Sequence, residues 1–388
     1  MNILQKLDTF SIRSKSVLVF CSLLTQGTLI FAQDFQQIAS YTGITQVADN
    51  NGLAVADFDR DGDLDLFIVA IEDNGSSNQY QRSRLFSNNN DGTFTDVTDQ
   101  SGLADLYPEA EEGLATTPPF VGYQYGAFWG DYDNDGYPDL LLTSRFKVHL
   151  FHNQKDGTFL DVSTSSGLDQ VVDDSAINDA TWFDYNKDGY LDLYISNWEL
   201  KTELNLLYKG NGDGTFENVS SIIQGSTPAP SYQSIPYDFN DDGWLDLLIA
   251  NDDGGLNEIL INEQGNSFVQ ATTTLGFERD KDDMGIAIGD PDNDGNFDFV
   301  LTAINENGFF RNRGDNTFED VAAQIGVEQT EFAWAVTFTD FDHDRDEDLF
   351  ILNGYTKREL TRNYYFENNS SGHNYYLMIA ALNWDLKL

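Results

Sequence analysis

The stretch DYDNDGYPDLLLTS, residues 131–144, joins an acidic turn to an apolar run, and five other segments repeat its opening. They are DFDRDGDLD from Asp57, DYNKDGYLD from Asp184, DFNDDGWLD from Asp238, DPDNDGNFD from Asp290 and DFDHDRDED from Asp340. The shared form is DxDxDGxxD, and the first residues lie 74, 53, 54, 52 and 50 positions apart. Self-similarity at such a period marks a propeller or solenoid, in which each unit is one supersecondary element. Only the first interval is long, which places an insertion near residues 104–124.

An apolar run follows every loop at once: LDLFIVA, PDLLLTS, LDLYISN, LDLLIAN, FDFVLTA and EDLFILN. Short runs bounded by turn residues read as strands buried on both faces. A third segment then ends in a Gly-rich hairpin, as in LFHNQKDGTF and FFRNRGDNTF, and a fourth leads out through LDVSTSSGL or EDVAAQIGV. Adding the strand that enters each loop gives four strands in about 50 residues, the size of a propeller blade. The fold expected is therefore all-β, a β-propeller of four-stranded blades, with six blades favoured and seven as the alternative. Repeat bounds fall near 45–103, 104–168, 169–222, 223–277, 278–327 and 328–370, inside a propeller domain of residues 33–370. The segment FQQIASYTGI, from Phe35, matches a fourth strand with no preceding three, and the last repeat ends near its third strand at NYYFENN. The N-terminal strand is thus expected to complete the last blade and close the ring. A seven-bladed ring would need NYYLMIAAL near the C-terminus to pair elsewhere.

Aspartates at alternate positions of a turning loop point inward together, as a hard cation with six to eight oxygens at ~2.3–2.6 Å requires. By that geometry Ca²⁺ is expected in five to six loops. First-position ligands are Asp57, Asp131, Asp184, Asp238, Asp290 and Asp340; third-position ones are Asp59, Asp133, Asn186, Asn240, Asp292 and Asp342. The fifth position supplies Asp61, Asp135, Asp188, Asp242, Asp294 and Asp344, and the ninth Asp65, Asp139, Asp192, Asp246, Asp298 and Asp348. Main-chain carbonyls come from position seven: Asp63, Tyr137, Tyr190, Trp244, Asn296 and Asp346. An EF-hand begins alike but needs a bidentate Glu at position 12 between helices. Here that position holds Ile68, Leu142, Ile195, Ile249, Leu301 and Ile351, which places a buried strand there instead. A dockerin-like pair would likewise need helices and closer spacing. In the sixth loop Arg345 replaces glycine, so the turn must strain or open, and its charge opposes a cation. That site is expected to be weaker or vacant.

The 65 Asp and Glu residues against 21 Lys and Arg give a formal charge of −44, which repels phosphate backbones and makes nucleic acid an unsuitable partner. Lys6, Arg13 and Lys15 precede the apolar run Val17–Phe31, and Ala32 stands before polar Gln33 and Asp34. This is the layout of a secretory signal over residues 1–32, broken by Ser22, Thr25, Gln26 and Gly27 as a transmembrane anchor would not be. Lipidation at Cys21 is the weaker alternative, since bulky Phe20 precedes it. Cleavage would remove the only cysteine, leave no transmembrane segment in the mature chain and direct it to the periplasm, the cell surface or the medium.

Catalysis has no visible constellation. His149 and His152, three apart in one strand, should face opposite ways, while His343 takes a non-ligand place in loop six and His373 lies in the tail. All four are expected to be surface or packing residues. Trp129, Trp182 and Phe338 align with Val55, Pro236 and Ile288 two residues before their loops, and read as packing between blades. Arg313–Asp315 spells RGD but aligns with a hairpin turn. The insertion, with Tyr107, Phe120, Tyr123 and Tyr125, breaks the repeat and is the kind of loop on which binding surfaces sit.

From Phe35 to Asn369 these features resemble the FG-GAP and VCBS repeats of integrin α-chain propellers and bacterial secreted proteins. Alternation of DYDNDGYPDLLLTS with LFHNQKDGTFLDVSTSSGL is most similar to the ASPIC/UnbV family, relatives of cartilage acidic protein. There a further β-rich module follows, and SSGHNYYLMIAAL in the tail, residues 371–388, looks like its opening strand. The resemblance implies non-enzymatic, calcium-dependent extracellular interaction or adhesion, with an extracellular protein or glycan as partner. The alternative is a polysaccharide-active lyase or hydrolase on the same scaffold.

Overall fold

The computed structural model describes residues 42–44, 50–70, 83–103, 124–144, 147–168, 177–198, 204–354, 363–368 and 377–378. The leader, residues 104–123 of the insertion and residues 33–41 lie outside them, as does most of the tail.

Among the described residues, six antiparallel meanders follow one another. The first holds β1 (Asn50–Ala56), β2 (Asp65–Ala70), β3 (Arg84–Asn88) and β4 (Phe94–Asp96), and the second β5 (Gln124–Gly130), β6 (Asp139–Ser144), β7 (Val148–Asn153) and β8 (Phe159–Asp161). The third holds β9 (Ile177–Phe183), β10 (Asp192–Asn197), β11 (Leu206–Gly210) and β12 (Phe216–Asn218). A two-residue strand, β13 (Ile223–Gln224), then crosses to pair in parallel with the fourth sheet. That sheet is β14 (Ser231–Tyr237), β15 (Asp246–Asn251), β16 (Glu258–Asn262) and β17 (Phe268–Gln270). The fifth contains β18 (Asp283–Gly289), β19 (Asp298–Glu306), β20 (Gly308–Asn312) and β21 (Phe318–Asp320); the sixth contains β22 (Gln329–Thr339), β23 (Asp348–Asn353), β24 (Tyr364–Glu367) and β25 (Leu377–Met378). The last two sheets are joined where β19 runs on to pair with β22, Ile304 opposite Phe332 and Glu306 opposite Gln329.

Each acidic loop links the first strand of a sheet to its second, and the second strand is the apolar run that the sequence marks. Every residue of β6, β10 and β15 is buried. Core clusters straddle neighbouring sheets: Phe58, Phe67 and Leu85 of the first meet Leu140, Phe151 and Phe159 of the second. Phe239 and Leu248 of the fourth meet Phe299, Phe310 and Phe318 of the fifth. Phe277 and Phe310 stack there with ring centroids 4.2 Å apart, a contact that adds ~1 kcal/mol beyond its buried area. Trp129 and Trp182 pack between sheets: the Trp129 ring stacks 6.4 Å from that of Phe58 in the first loop, and a Cβ on Gly130 of β5 would lie 2.8 Å from Trp182 Nε1. This architecture, four-stranded sheets with apolar faces packed on the next sheet in sequence, is the β-propeller.

Chain entry and exit differ from the expected closure. The fourth place of the sixth sheet is held by β25, with Phe366 opposite Met378 and Glu367 opposite Leu377. The edge assigned from sequence to FQQIAS is therefore paired with the C-terminal segment, beyond the repeat bound at residue 370. At the other end, a Cβ on Gly43 would lie 2.4 Å from the Phe94 carbonyl oxygen, as one on Gly276 would lie 2.5 Å from that of Phe318. The turn after FQQIAS thus rests on β4 as the exit turn of the fourth sheet rests on β21. That part of the repeat alignment holds.

Candidate metal loops

The loops share one hydrogen-bond plan, of which loop one lacks only the position-five bond to Asp57 and loop five only the position-five bond to Asp292. The first aspartate receives the N–H groups of positions five and six: Asp131 from Asp135 at 2.9 Å and Gly136 at 2.9 Å, Asp238 from Asp242 at 3.1 Å and Gly243 at 2.7 Å. Position three accepts from position five, as Asn186 does from Asp188 at 2.8 Å, and position five from position seven, as Asp242 does from Trp244 at 2.8 Å. Such Asx turns fix the side chains before any ligand arrives. In loops one, two, five and six, oxygens of the first, third and fifth carboxylates lie within 4.8 Å of one another.

Position four is a feature the repeat pattern hides. Arg60, Asn134, Lys187, Asp241, Asn293 and His343 all have φ between 55° and 62°, the left-handed region where Asn and Asp cost least. Position six is left-handed as well, and Arg345 takes φ 84° beside 82° for Gly243. Loop six therefore strains rather than opens, and the Arg345 N–H still reaches Asp340 at 3.1 Å. Replacing Arg345 with Gly is expected to stabilise the protein by roughly 1 kcal/mol in calcium, the left-handed cost of a side chain less the added freedom of the unfolded chain. A lower urea midpoint for the variant would contradict this account.

The ninth aspartate does more than the sequence reading assigns it. Asp246, wholly buried, accepts from Phe239 N–H at 2.8 Å and from Asn262 N–H, at the end of β16, at 2.7 Å. Asp65, Asp192 and Asp348 make the same pair of bonds in their own sheets. Burial, opposed by these N–H bonds, pushes Asp192 and Asp246 up to about 7 and Asp65 to about 6. The Asn side chain at that strand end then crosses to the previous loop: Asn153 to the Phe58 carbonyl at 2.8 Å, Asn262 to that of Tyr185 at 2.8 Å and Asn368 to that of Pro291 at 2.5 Å.

Two loops depart from the pair of bonds at the ninth aspartate: in loop two Asp139 Oδ2 has no donor among the described residues although Oδ1 accepts from Asn153 at 2.8 Å, and in loop five the cause is a proline. Pro291 stands at position two and has no N–H, so Asp298 Oδ2, on a residue 2% exposed, has no donor, although Oδ1 accepts from Asn312 at 2.8 Å. Asp292 Oδ1 and Asp57 Oδ1 also lack donors. Buried carboxylate oxygens left without a hydrogen-bond donor are costly, and a hard divalent cation satisfies them. The oxygen-rich donor set thus fits calcium.

The residue just before that strand-end position is Ser87, His152, Lys209, Ile261, Arg311 or Glu367 in turn, and the four ionisable ones interact with their own loops. Lys209 Nζ lies 3.1 Å from Asp188, and Arg311 Nε 3.8 Å from Asp292. His152 belongs to this set as well as packing edge-on against Tyr132, the role expected of it: its Nδ1 lies 3.2 Å from Asp139 Oδ1 and 3.4 Å from Asp133 Oδ2. Glu367 adds negative charge to loop six, its carboxyl raised by burial and by Asp342, Asp348 and Asp346. Arg313 and Asp315 are committed to Glu319 and Thr317 within their hairpin.

The FG-GAP-like repeat family matches residues 131–195, 238–301 and 290–351. Cartilage acidic protein 1 of Mus musculus is 33% identical over 102 residues, 26% of this chain and 15% of that protein. The Homo sapiens protein is 32% identical over 102 residues, again 15% of its length, so the match spans a small part of these relatives. Among solved structures, an Agrocybe aegerita lectin specific for non-reducing terminal N-acetylglucosamine aligns over 85% of this chain and 79% of its own, with TM-score 0.47 and 16% identity. An ancestral GH74 enzyme aligns over 85% of this chain and 38% of its own, with TM-score 0.47 and 9% identity. Among the described residues no helix is long and apolar enough to cross a membrane. On its repeats and its fold, the chain is an FG-GAP repeat β-propeller protein close to the cartilage acidic protein, or ASPIC/UnbV, family.

Proposed function

We propose that the chain is an exported, non-enzymatic, calcium-binding propeller that mediates extracellular or cell-surface interaction with a protein or glycan. The observation that carries the calcium reading is the buried Asp298 carboxylate, held by one N–H and left with an oxygen that nothing among the described residues serves. Around it, Asp290, Asp292 and Asp294 converge within 4.8 Å. When bound, calcium would supply charge compensation and rigidity to the loops, held by the side-chain oxygens at positions one, three and five, the position-seven carbonyls and, where it keeps an unserved oxygen as in loop five, the ninth carboxylate. The family resemblance and the signal-like leader support export.

An enzymatic reading needs a catalytic constellation of its own. The cavity at the inner strands has one carboxylate among its described lining residues, Asp179, whereas glycoside hydrolysis ordinarily calls for two. That favours binding over turnover.

Calcium is expected to raise the thermal midpoint substantially over the chelated protein, by mass action on the folded state. Extracellular modules bind at ~10⁻⁴–10⁻³ M, so the gain should saturate near millimolar calcium. An unchanged midpoint together with no calorimetric binding heat would sink the reading.

A further inference from the structure

Each of the six innermost strands carries a β-bulge at the same register. Pairing skips between Asn50 and Gly52 in β1, Gln124 and Gly126 in β5, Ser231 and Gln233 in β14, Asp283 and Ile286 in β18, and Ala333 and Ala335 in β22. In β9 it skips Asn178, between Ile177 and Asp179. A bulge leaves one residue unpaired and re-aims its side chain, which is why bulges gather beside functional sites. Here the re-aimed residues Asn178, Tyr232, Met284 and Trp334 line a single cavity of about 220 Å³, to which all six innermost strands contribute.

Trp334 is 40% exposed although it stands in the middle of a strand. Its ring centroid lies 5.7 Å from that of Tyr232 at 58° and 5.2 Å from that of Phe332, so the three rings form an aromatic wall. The close approach behind it is built in: a Cβ on Gly285 would stand 2.8 Å from the Trp334 carbonyl oxygen. Beside the wall are two amides whose remaining capacity is complementary. Asn178 donates through Nδ2 to the Tyr232 carbonyl at 3.0 Å and keeps Oδ1 as an acceptor. Gln233 accepts the Ile286 N–H on Oε1 at 2.7 Å and keeps Nε2 as a donor. Asp179 lines the cavity too, and no Lys, Arg or His does among the described residues.

We infer that this axial cavity is a binding site for one neutral pyranose ring of a glycan. An aromatic face takes the C–H face of a sugar, and an acceptor beside a donor matches hydroxyl groups, each of which is both. Anionic sugars are refused by Asp179 and by the net charge of −44. An organic cation would find the aromatic wall and the carboxylate, but it has no use for the Gln233 donor. The site gives the interaction reading its partner class and rests on that reading for its biological sense.

Saturation-transfer NMR in millimolar calcium tests it, with the methyl pyranosides of glucose, galactose, mannose and N-acetylglucosamine. Methyl glucuronide and tetramethylammonium serve as the anionic and cationic arms. Transfer to the ring protons of at least one neutral glycoside is expected, weakened tenfold or more in Trp334→Ala and largely retained in Trp334→Tyr. Should Trp334→Ala fail to fold, Tyr232→Ala reads the same wall. Absence of transfer from every neutral glycoside, transfer that survives loss of the wall, or a preference for tetramethylammonium or the glucuronide would overturn the inference. A chain that calcium stabilises yet that shows no such transfer refutes the axial site and leaves the loops standing.

Discussion

Replacing Asp246 with Ala should destabilise the protein by about 3–5 kcal/mol in calcium and in chelator alike. The carboxylate holds two N–H groups, of Phe239 at 2.8 Å and of Asn262 at 2.7 Å, inside the core. Its removal leaves both donors unserved, a penalty that no added cation repairs. Asp298→Ala makes the contrasting case. There Pro291 offers no N–H, so in chelator the substitution gives up the Asn312 bond but also removes a costly unserved oxygen. Its loss should be small in chelator and large in calcium. Urea midpoints for the two variants, each with and without calcium, decide the matter. Equal sensitivity of both variants to calcium would show that the ninth aspartate has the same role in every loop.

The second large effect is expected at Asn262. Its amide nitrogen reaches the Tyr185 carbonyl of the third loop at 2.8 Å and the Leu245 carbonyl at 3.0 Å, and its oxygen takes the Gly265 N–H at 2.7 Å. Asn262→Ala breaks three buried or half-buried bonds at once, a cost of roughly 2–4 kcal/mol. Because one of them joins two sheets, the loss should also appear as hydrogen exchange spreading into β10 and β11. Protection lost in the fourth sheet alone would place the value of Asn262 within its own sheet.

The loops and the buried second strands were legible because they rest on residue identity at fixed spacing, and position 12 settled the choice against the EF-hand. The double use of the ninth aspartate was not. A carboxylate that binds a cation and one that binds two N–H groups look the same in sequence: Pro291 betrays the difference in loop five, while nothing in DYDNDGYPD marks Asp139, whose Oδ2 also lacks a donor among the described residues. In sequence His152 has only His149 as an evident neighbour, whereas its register beside Asn153 sets its surroundings. Period-two alternation carries no mark of one extra residue in a strand, so the six bulges and the cavity they line were invisible. The expectation for FQQIAS failed at the sixth sheet because a fourth-strand pattern does not say which of two segments takes an edge, whereas Gly43 kept the register it predicted.

The amides of Asn153, Asn262 and Asn368 give the loop rim a mechanical character. If two neighbouring sheets slide past each other, each such tie is stretched directly, while the apolar faces between them can shear with little immediate loss. A tangential load is then borne first at the rim, by a few short polar links in line with the pull. Each link is anchored on a ninth-position carboxylate, so an ion seated in the loop would stiffen the joint that carries the load.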